Sequence, residues 1–232
     1  MRTSLRRLIA DASHELRTPL TVLRGQMEVA LRAERSPREY QLVLRRALEE
    51  IERLTTLSED LLLITRADSH LLTPERTATD VAALVDAVLS SLRRRIEEKG
   101  LTVERSVPQG RHRVSIDPAL VGRLVDHLLD NAIRYTPIGG RIGVRVETGA
   151  EPGVRLIVEN SGPEIAAADL EHLFEPFYRV DPARTRDNGG AGPGLGLALV
   201  AAIARLHDGA ARAASWPGGT RFEVDLPSVP SH

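Results

Sequence analysis

Two stretches of helical apolar periodicity, parted by a short break, dominate what this chain can fold into. Leu5, Ile9, Ala12, Leu16, Leu20, Leu23, Met27 and Ala30 recur at three- and four-residue steps, which is one stripe of an amphipathic helix. The pattern fades near residues 33–35. Ser36-Pro37-Arg38-Glu39 then reads as a new helix start, with a Ser cap, Pro at the first position and Glu three residues after the cap. Tyr40, Leu44, Ala47, Ile51, Leu54, Leu57, Leu61 and Ile64 form a second stripe. Two long helices joined by a short turn predict an antiparallel hairpin. Extra leucines at 8, 31, 48, 62 and 63 make both stripes broader than one seam. Pairing two hairpins into a four-helix bundle, a homodimer, would bury the rest; packing of the pair on the chain's own second domain is the alternative.

The pattern breaks over residues 67–80, with Pro74 and several Thr, which reads as a linker carrying a short strand near 76–79. Asp80 caps a helix from Val81 to Lys99, and Gly100 ends it. Strands follow near 101–105 and 112–116, then a helix from Asp117-Pro118 to about Tyr135 with Leu120, Leu124, Leu128 and Ala132 as its core face. Ile142, Val144, Val146 and Val154, Leu156, Val158 alternate as two further strands. Residues 160–193 read as irregular and Gly-rich, before a helix at 194–206 and strands near 210–215 and 220–226. Helices and strands mix without strict alternation, so the fold class is α+β, a layered sandwich rather than a doubly wound sheet. The division expected is 1–69 for the hairpin, 70–80 for the linker and 81–232 for the second domain.

Composition narrows the function. The net charge of −1 favours neither nucleic acid nor a membrane surface. One of the 31 basic residues is lysine, Lys99, which reads as genomic bias. With no cysteine, disulfides and thiolate metal sites are excluded, and a reducing cytoplasm suits the chain. The longest apolar run, Leu197 to Ala204, is far short of a membrane span, and no signal peptide is visible.

Chemistry concentrates in a few places. His14 lies two positions from Ala12 and two from Leu16, so it points away from the apolar stripe, with Glu15 beside it and Thr18 one turn on. Pro19 removes a backbone donor and is expected to bend the helix there. An imidazole with an ordinary pKa of about 6.5 keeps a free lone pair at neutral pH, and an adjacent carboxylate can hold its other N–H. A zinc protease would need His at position 18. Farther on, His127, Asn131, Arg134 and Tyr135 form a polar row on one helix. That row offers an oxygen ligand, a cation and an aromatic plane, a set suited to Mg²⁺, phosphate and a purine. Residues 181–191 read as a soft, Gly-rich lid. Gly192, Gly194 and Gly196 open a helix whose backbone N–H groups can approach phosphate. His70, His112, His172, His207 and His232 show no partner pattern and read as surface or boundary residues.

The segment Ser13-His14-Glu15-Leu16-Arg17-Thr18-Pro19-Leu20 resembles the phospho-acceptor box of sensor histidine kinases. Leu128-Leu129-Asp130-Asn131-Ala132-Ile133-Arg134-Tyr135 resembles their N box, and Glu159-Asn160-Ser161-Gly162-Pro163-Glu164 their first glycine box. Phe174-Glu175-Pro176-Phe177-Tyr178-Arg179 resembles the F box, Gly192-Pro193-Gly194-Leu195-Gly196-Leu197 the second glycine box, and Gly218-Gly219-Thr220-Arg221-Phe222 the closing hairpin. The resemblance runs in family order over nearly the whole chain. It implies an ATP-binding domain of the fold shared with gyrase and MutL. His14 would be the nucleophile that takes a phosphoryl group from ATP. Glu15 would orient or deprotonate it, and Thr18 would position a water when the group is removed. Asn131 would bind Mg²⁺, Arg134 would approach phosphate, and Tyr135 would lie against adenine. The F box, with Arg179 as a further cofactor-binding candidate, would anchor the near end of the ATP lid. Gly162, Gly192, Gly194, Leu195 and Gly196 would cradle the nucleotide, and Thr220 would touch the lid or phosphates. Three positions depart from the family pattern. His127 replaces an Asn that contacts metal or phosphate, Asn160 replaces the adenine-reading Asp, and Glu164 replaces a Gly and is expected to crowd its loop. The implied partners are a second copy of the chain and a response-regulator receiver domain. The chain is then expected to be the cytoplasmic portion of a longer sensor, tied to a membrane only through an N-terminal region. A degenerate kinase acting as phosphatase or scaffold, motivated by those three positions, and an ATPase clamp of the wider fold family are the alternatives.

Overall fold

The computed structural model describes residues 2–32, 34, 36–69, 71–107, 113–148, 153–180 and 193–227. The chain divides into two compact units, Met1–Leu63 and Ile64–His232.

The first unit is helical. Helix α1 runs Arg2–Leu31 and continues through Pro19; α2 runs Pro37–Asp68, its residues from Ile64 on belonging to the second unit. The start of α2 is the capping box read from the sequence. The Ser36 N–H and hydroxyl both donate to Glu39 Oε2 at 2.8 Å, and the Glu39 N–H returns to Ser36 Oγ at 3.3 Å. Leu23 and Ala30 of α1 and Ala47 and Leu57 of α2 are buried. Val22, Leu23 and Gln26 line a groove with Arg46, Glu49, Glu50 and Arg53, which places the helices side by side and antiparallel. A broad apolar surface stays open on this hairpin, including Leu20, Leu44, Leu48 and Ile51.

The second unit contains strand β1 (Thr77–Asp80), helix α3 (Val81–Glu98), β2 (Thr102–Ser106), β3 (Arg113–Ile116), α4 (Pro118–Tyr135), β4 (Arg141–Thr148) and β5 (Gly153–Gly162). After these come the single-turn α5 (Ala167–Leu170), α6 (Gly196–Leu206), β6 (Ala210–Trp216) and β7 (Gly218–Pro227). A five-stranded sheet has the order β2-β4-β5-β7-β6, with β2 and β4 parallel and the other neighbours antiparallel; β1 pairs with β3 separately. Asp80 caps α3 by accepting the Ala82 N–H, and Gly100, at φ +63°, turns the chain out of it. The apolar even positions of β4, β5 and β7, from Ile142 to Leu226, are 4% exposed or less, as are Leu124, Leu128, Leu199 and Ile203 of the helices packed on this sheet. On the other face of the sheet, arginines and carboxylates alternate across the strands. Burial alone would raise the pKa of Glu159, but hydrogen bonds from Arg145 at 2.8 Å and Arg221 at 2.5 Å outweigh it and hold the carboxyl below its ordinary range.

The structure corrects several sequence expectations. Strand β5 runs on through Gly162, and α5 lies within the stretch read as irregular. Leu120 is only half-buried; the core face of α4 is instead Val121, Leu124, Val125, Leu128, Leu129, Ala132 and Ile133. His207 is a core residue at 1% exposure, not a boundary one. Its Nε2 accepts the Asp117 N–H at 3.0 Å and its Nδ1 donates to the Ile203 carbonyl at 2.9 Å. A backbone N–H only donates and a carbonyl only accepts, so the ring is neutral with its proton on Nδ1. His70, His112 and His232 lie outside the described residues.

Burial lowers the pKa of His207, with Arg76 adding to the fall, while the bond to Ile203 and the nearby Asp117 and Asp208 oppose it. A depressed folded-state pKa contributes stability above the unfolded value of about 6.5, and that contribution is lost as pH falls through the folded value. Urea unfolding should therefore show stability falling from pH 7 to pH 5, with a shallower fall in a His207→Gln chain. Equal slopes in the two chains would remove His207 as the cause.

Candidate functional site

His14, Glu15 and Thr18 are all exposed on α1. The Thr18 hydroxyl turns back along the helix and donates to the His14 carbonyl at 3.4 Å. Among the described residues, Glu15 makes no hydrogen bond to the imidazole. The ring thus stands in water on a continuous helix, with a carboxylate as its sequence neighbour.

The remaining candidates belong to the second unit, where α4, β5, α6 and β7 bring them together. A Cβ built on Gly196, the first residue of α6, would lie 3.2 Å from His127 Nδ1, so the polar row of α4 meets the second glycine segment there. Asn131 follows one turn along α4 and is half-buried. Arg134 is engaged by Asp130 at 3.2 Å, and Asp130 is also held by Arg95 at 2.7 Å. Tyr135 is 48% exposed, and its carbonyl would lie 3.3 Å from a Cβ on Gly162. Only a bare backbone fits there without a shift.

Asn160 on β5 and Thr220 on β7 are paired in the ladder, and both are buried, at 7% and 4% exposure. Such burial of polar side chains at the end of a sheet marks a place where their hydrogen-bonding groups have work to do. Glu164 is exposed and its φ is not positive, so its side chain stands in solvent instead of crowding the loop.

The F-box segment and the second glycine segment are tied backbone to backbone. Phe177, at φ +66°, donates its N–H to the Gly194 carbonyl at 3.0 Å, and Gly194 itself has φ +76°. Tyr178 donates to Asp169 at 2.6 Å, a bond that raises its pKa, and its ring lies 5.3 Å from that of His172. Arg179 is half-buried beside this junction, and Leu195 is buried at 1% exposure. Among the described residues no side chain caps the first N–H groups of α6, and open N–H groups at a helix start suit an anion. Gly192 and residues 181–191, the expected lid, lie outside the described residues.

Two contributors escaped the sequence reading. Lys99 Nζ donates to the Ile133 and Arg134 carbonyls at 2.6 and 2.8 Å and so closes the end of α4. Burial lowers its pKa, and Arg95 lowers it further. A lone lysine among arginines was the available signal. Ser215 bonds to Ile165, Gly219 and Thr220, and nothing in its local sequence points to that.

Residues 4–70 match the family described as His Kinase A (phospho-acceptor) domain. Residues 116–230 match that of histidine kinase-, DNA gyrase B- and HSP90-like ATPases, which makes this an ATP-binding domain. The chain is 41% identical over 219 residues to the sensor histidine kinase CusS of Escherichia coli (strain K12), covering 94% of this chain and 45% of that protein. The structure of the Acinetobacter baumannii histidine kinase AdeS superposes with a TM-score of 0.76 at 28% identity, covering 92% of this chain and 97% of that one. The mycobacterial sensor histidine kinase MprB superposes with a TM-score of 0.56 at 31% identity, covering 67% of this chain and 99% of that one. The chain spans under half the length of the curated relatives it matches.

Proposed function

The chain belongs to the sensor histidine kinases of two-component systems, and from that premise we propose that it phosphorylates itself on His14 from ATP. The phosphoryl group then passes to an aspartate of a response-regulator receiver domain, and hydrolysis of that aspartyl phosphate by water, releasing inorganic phosphate, is the opposing phosphatase activity. The observation that carries this reading is a convergence within one unit. Asn160 pairs with Thr220, His127 lies against Gly196, and Phe177 bonds to Gly194.

In this reading the Asn160 carbonyl oxygen accepts from the adenine amino group, and Tyr135 lies along the ring. Gly162 leaves room for both. Arg134, Arg179 and the backbone N–H groups of Gly192, Gly194, Leu195 and Gly196 hold the phosphates. Among the described residues no cluster of three acidic or histidine side chains could hold a metal alone. Mg²⁺ therefore fits as part of its nucleotide complex, with Asn131 supplying one oxygen and His127 beside it. When bound, it would neutralise charge developing on the phosphate oxygens. A lone pair of the His14 ring forms the N–P bond as the bond from the γ-phosphorus to the bridging oxygen breaks and ADP leaves. Glu15 steadies the imidazolium and takes up its proton. Thr18 orients the water of the phosphatase reaction.

Residues 1–69 would serve as the dimerising, phosphate-accepting hairpin and 81–232 as the catalytic domain. Residues 75–80 belong with the latter. The Glu75 N–H donates to Asp117 at 3.0 Å, Arg76 bonds to the Leu206 carbonyl and to Asp208, and β1 pairs with β3. The movement that carries ATP to His14 would then be taken up on the hairpin side of residue 75. No helix among the described residues is long and apolar enough to cross a membrane, and a membrane tie would lie outside them.

Incubation with γ-labelled ATP and Mg²⁺ should leave an acid-labile, base-stable label on the chain, which an isolated receiver domain then removes. Bound nucleotide with no protein label under any condition would overturn the proposal. The hairpin interface has its own test. Leu44 and Leu48 are 60% and 58% exposed, so the double change to Glu should convert dimer to monomer in sedimentation velocity. A dimer that survives it would place the interface elsewhere.

A further inference from the structure

Three contacts converge on the hydroxyl of Ser215. Its oxygen accepts the Ile165 N–H at 2.9 Å, and it lies 3.0 Å from the Gly219 carbonyl oxygen and 3.1 Å from Thr220 Oγ1. A hydroxyl has one proton to give. A carbonyl cannot donate, so only one assignment makes all three contacts hydrogen bonds. Ser215 donates to Gly219, and Thr220 donates to Ser215. The Thr220 proton is thereby committed, and toward any further neighbour its oxygen can only accept.

The same logic orients Asn160. The end of its amide that lies 3.2 Å from the Ser161 carbonyl must be the NH₂ group, which leaves Oδ1 as the acceptor at the other end. Asn160 and Thr220 are buried cross-strand partners. What they offer a ligand is a pair of acceptors.

We propose that Ser215 is a positioning residue that sets nucleotide specificity. By holding the Thr220 proton, it makes the Asn160–Thr220 pair a reader of N–H donors, and so of a 6-amino purine against a 6-oxo purine. The inference rests on the reading above that places the base at Asn160. A 6-oxo group there would face two acceptors, and leaving buried polar atoms unpaired is the strong form of discrimination. Without the Ser215 hydroxyl, the Thr220 O–H is free to rotate and donate to that carbonyl.

Calorimetric titration of the full chain with ATP and with ITP tests this. The unaltered chain should prefer ATP. Ser215→Ala should lower the ATP-to-ITP affinity ratio about tenfold, the scale of one reversed hydrogen bond, and Ser215→Thr should restore it. In a Thr220→Val background, Ser215→Ala should leave the ratio unchanged. Should the alanine chain fail to fold, Ser215→Cys keeps the shape with a weak donor and should lower the ratio in the same direction. A ratio that stays constant while both affinities fall would overturn the proposal and leave Ser215 a brace. An Asn160→Ala chain that binds ATP unchanged would instead overturn the underlying placement of the base.

Discussion

Replacing His14 with glutamine is expected to abolish incorporation of the acid-labile label while leaving nucleotide affinity intact. The amide keeps size and polarity but has no basic lone pair to attack phosphorus. Losing a nucleophile outright reduces turnover by on the order of a thousandfold or more, so the signal should drop to the floor of the assay. Binding should persist because His127, Asn131, Asn160, Gly194 and Thr220 are all in the second unit and none is on α1. Label remaining on the His14→Gln chain would mean that another side chain is the acceptor. Loss of nucleotide affinity along with the label would mean that the hairpin takes part in holding ATP.

The other large effect is expected at Gly194. It has φ +76°, and a Cβ there would come 2.9 Å from the Tyr178 carbonyl oxygen and 3.0 Å from the Phe177 carbonyl carbon. Both are backbone atoms, so no side chain can swing away to make room. The left-handed conformation alone costs alanine roughly 1–2 kcal/mol, and the clash adds to it by prising Phe177 from its bond to the Gly194 carbonyl. Gly194→Ala should therefore weaken ATP binding by about tenfold or more, measured by displacement of a fluorescent nucleotide. Gly139→Ala is the matched control. Its φ is +74°, yet nothing lies within 4 Å of the added carbon, so it should lower thermal stability slightly and leave nucleotide affinity alone. Equal effects in the two variants would make backbone strain the whole explanation and remove the close approach from it.

Much of this architecture was legible because its signals are local. The Ser36–Glu39 box, the Asp80 and Asp117 caps and the alternation along β4 and β5 each depend on residues within a few positions of one another. The acceptor stretch 13–20 and the polar row on α4 were readable for the same reason. What could not be read depended on partners far along the chain. Strand β5 runs past Asn160 because Ser161 and Gly162 pair with Gly219 and Gly218 of β7, and a glycine-rich stretch says nothing about a waiting ladder. Leu120 sits at the first turn of α4, where helical spacing alone cannot tell which side the rest of the unit covers. His207 looked like any histidine after a helix until the fold brought the Asp117 N–H against its ring. Lys99 reaches the last carbonyls of α4 only once α3 and α4 are packed together. Periodicity places a residue on a face; it does not say what the face meets.

Asp117 joins more than its position at a helix start suggests. One carboxylate oxygen caps α4 through the Ala119 and Leu120 N–H groups, the other takes the Glu75 N–H, and its own N–H rests on His207 at the end of α6. The strand of chain that leads toward the hairpin is therefore fastened to the very turn from which α4, the helix proposed to hold the nucleotide, begins. A pull arriving at residue 75 meets this carboxylate first, with Arg76 and the β1–β3 pairing taking up the rest. Asp117 thus stands at the root of the helix that carries His127, Asn131 and Arg134, so the tether and the proposed nucleotide site share a common anchor.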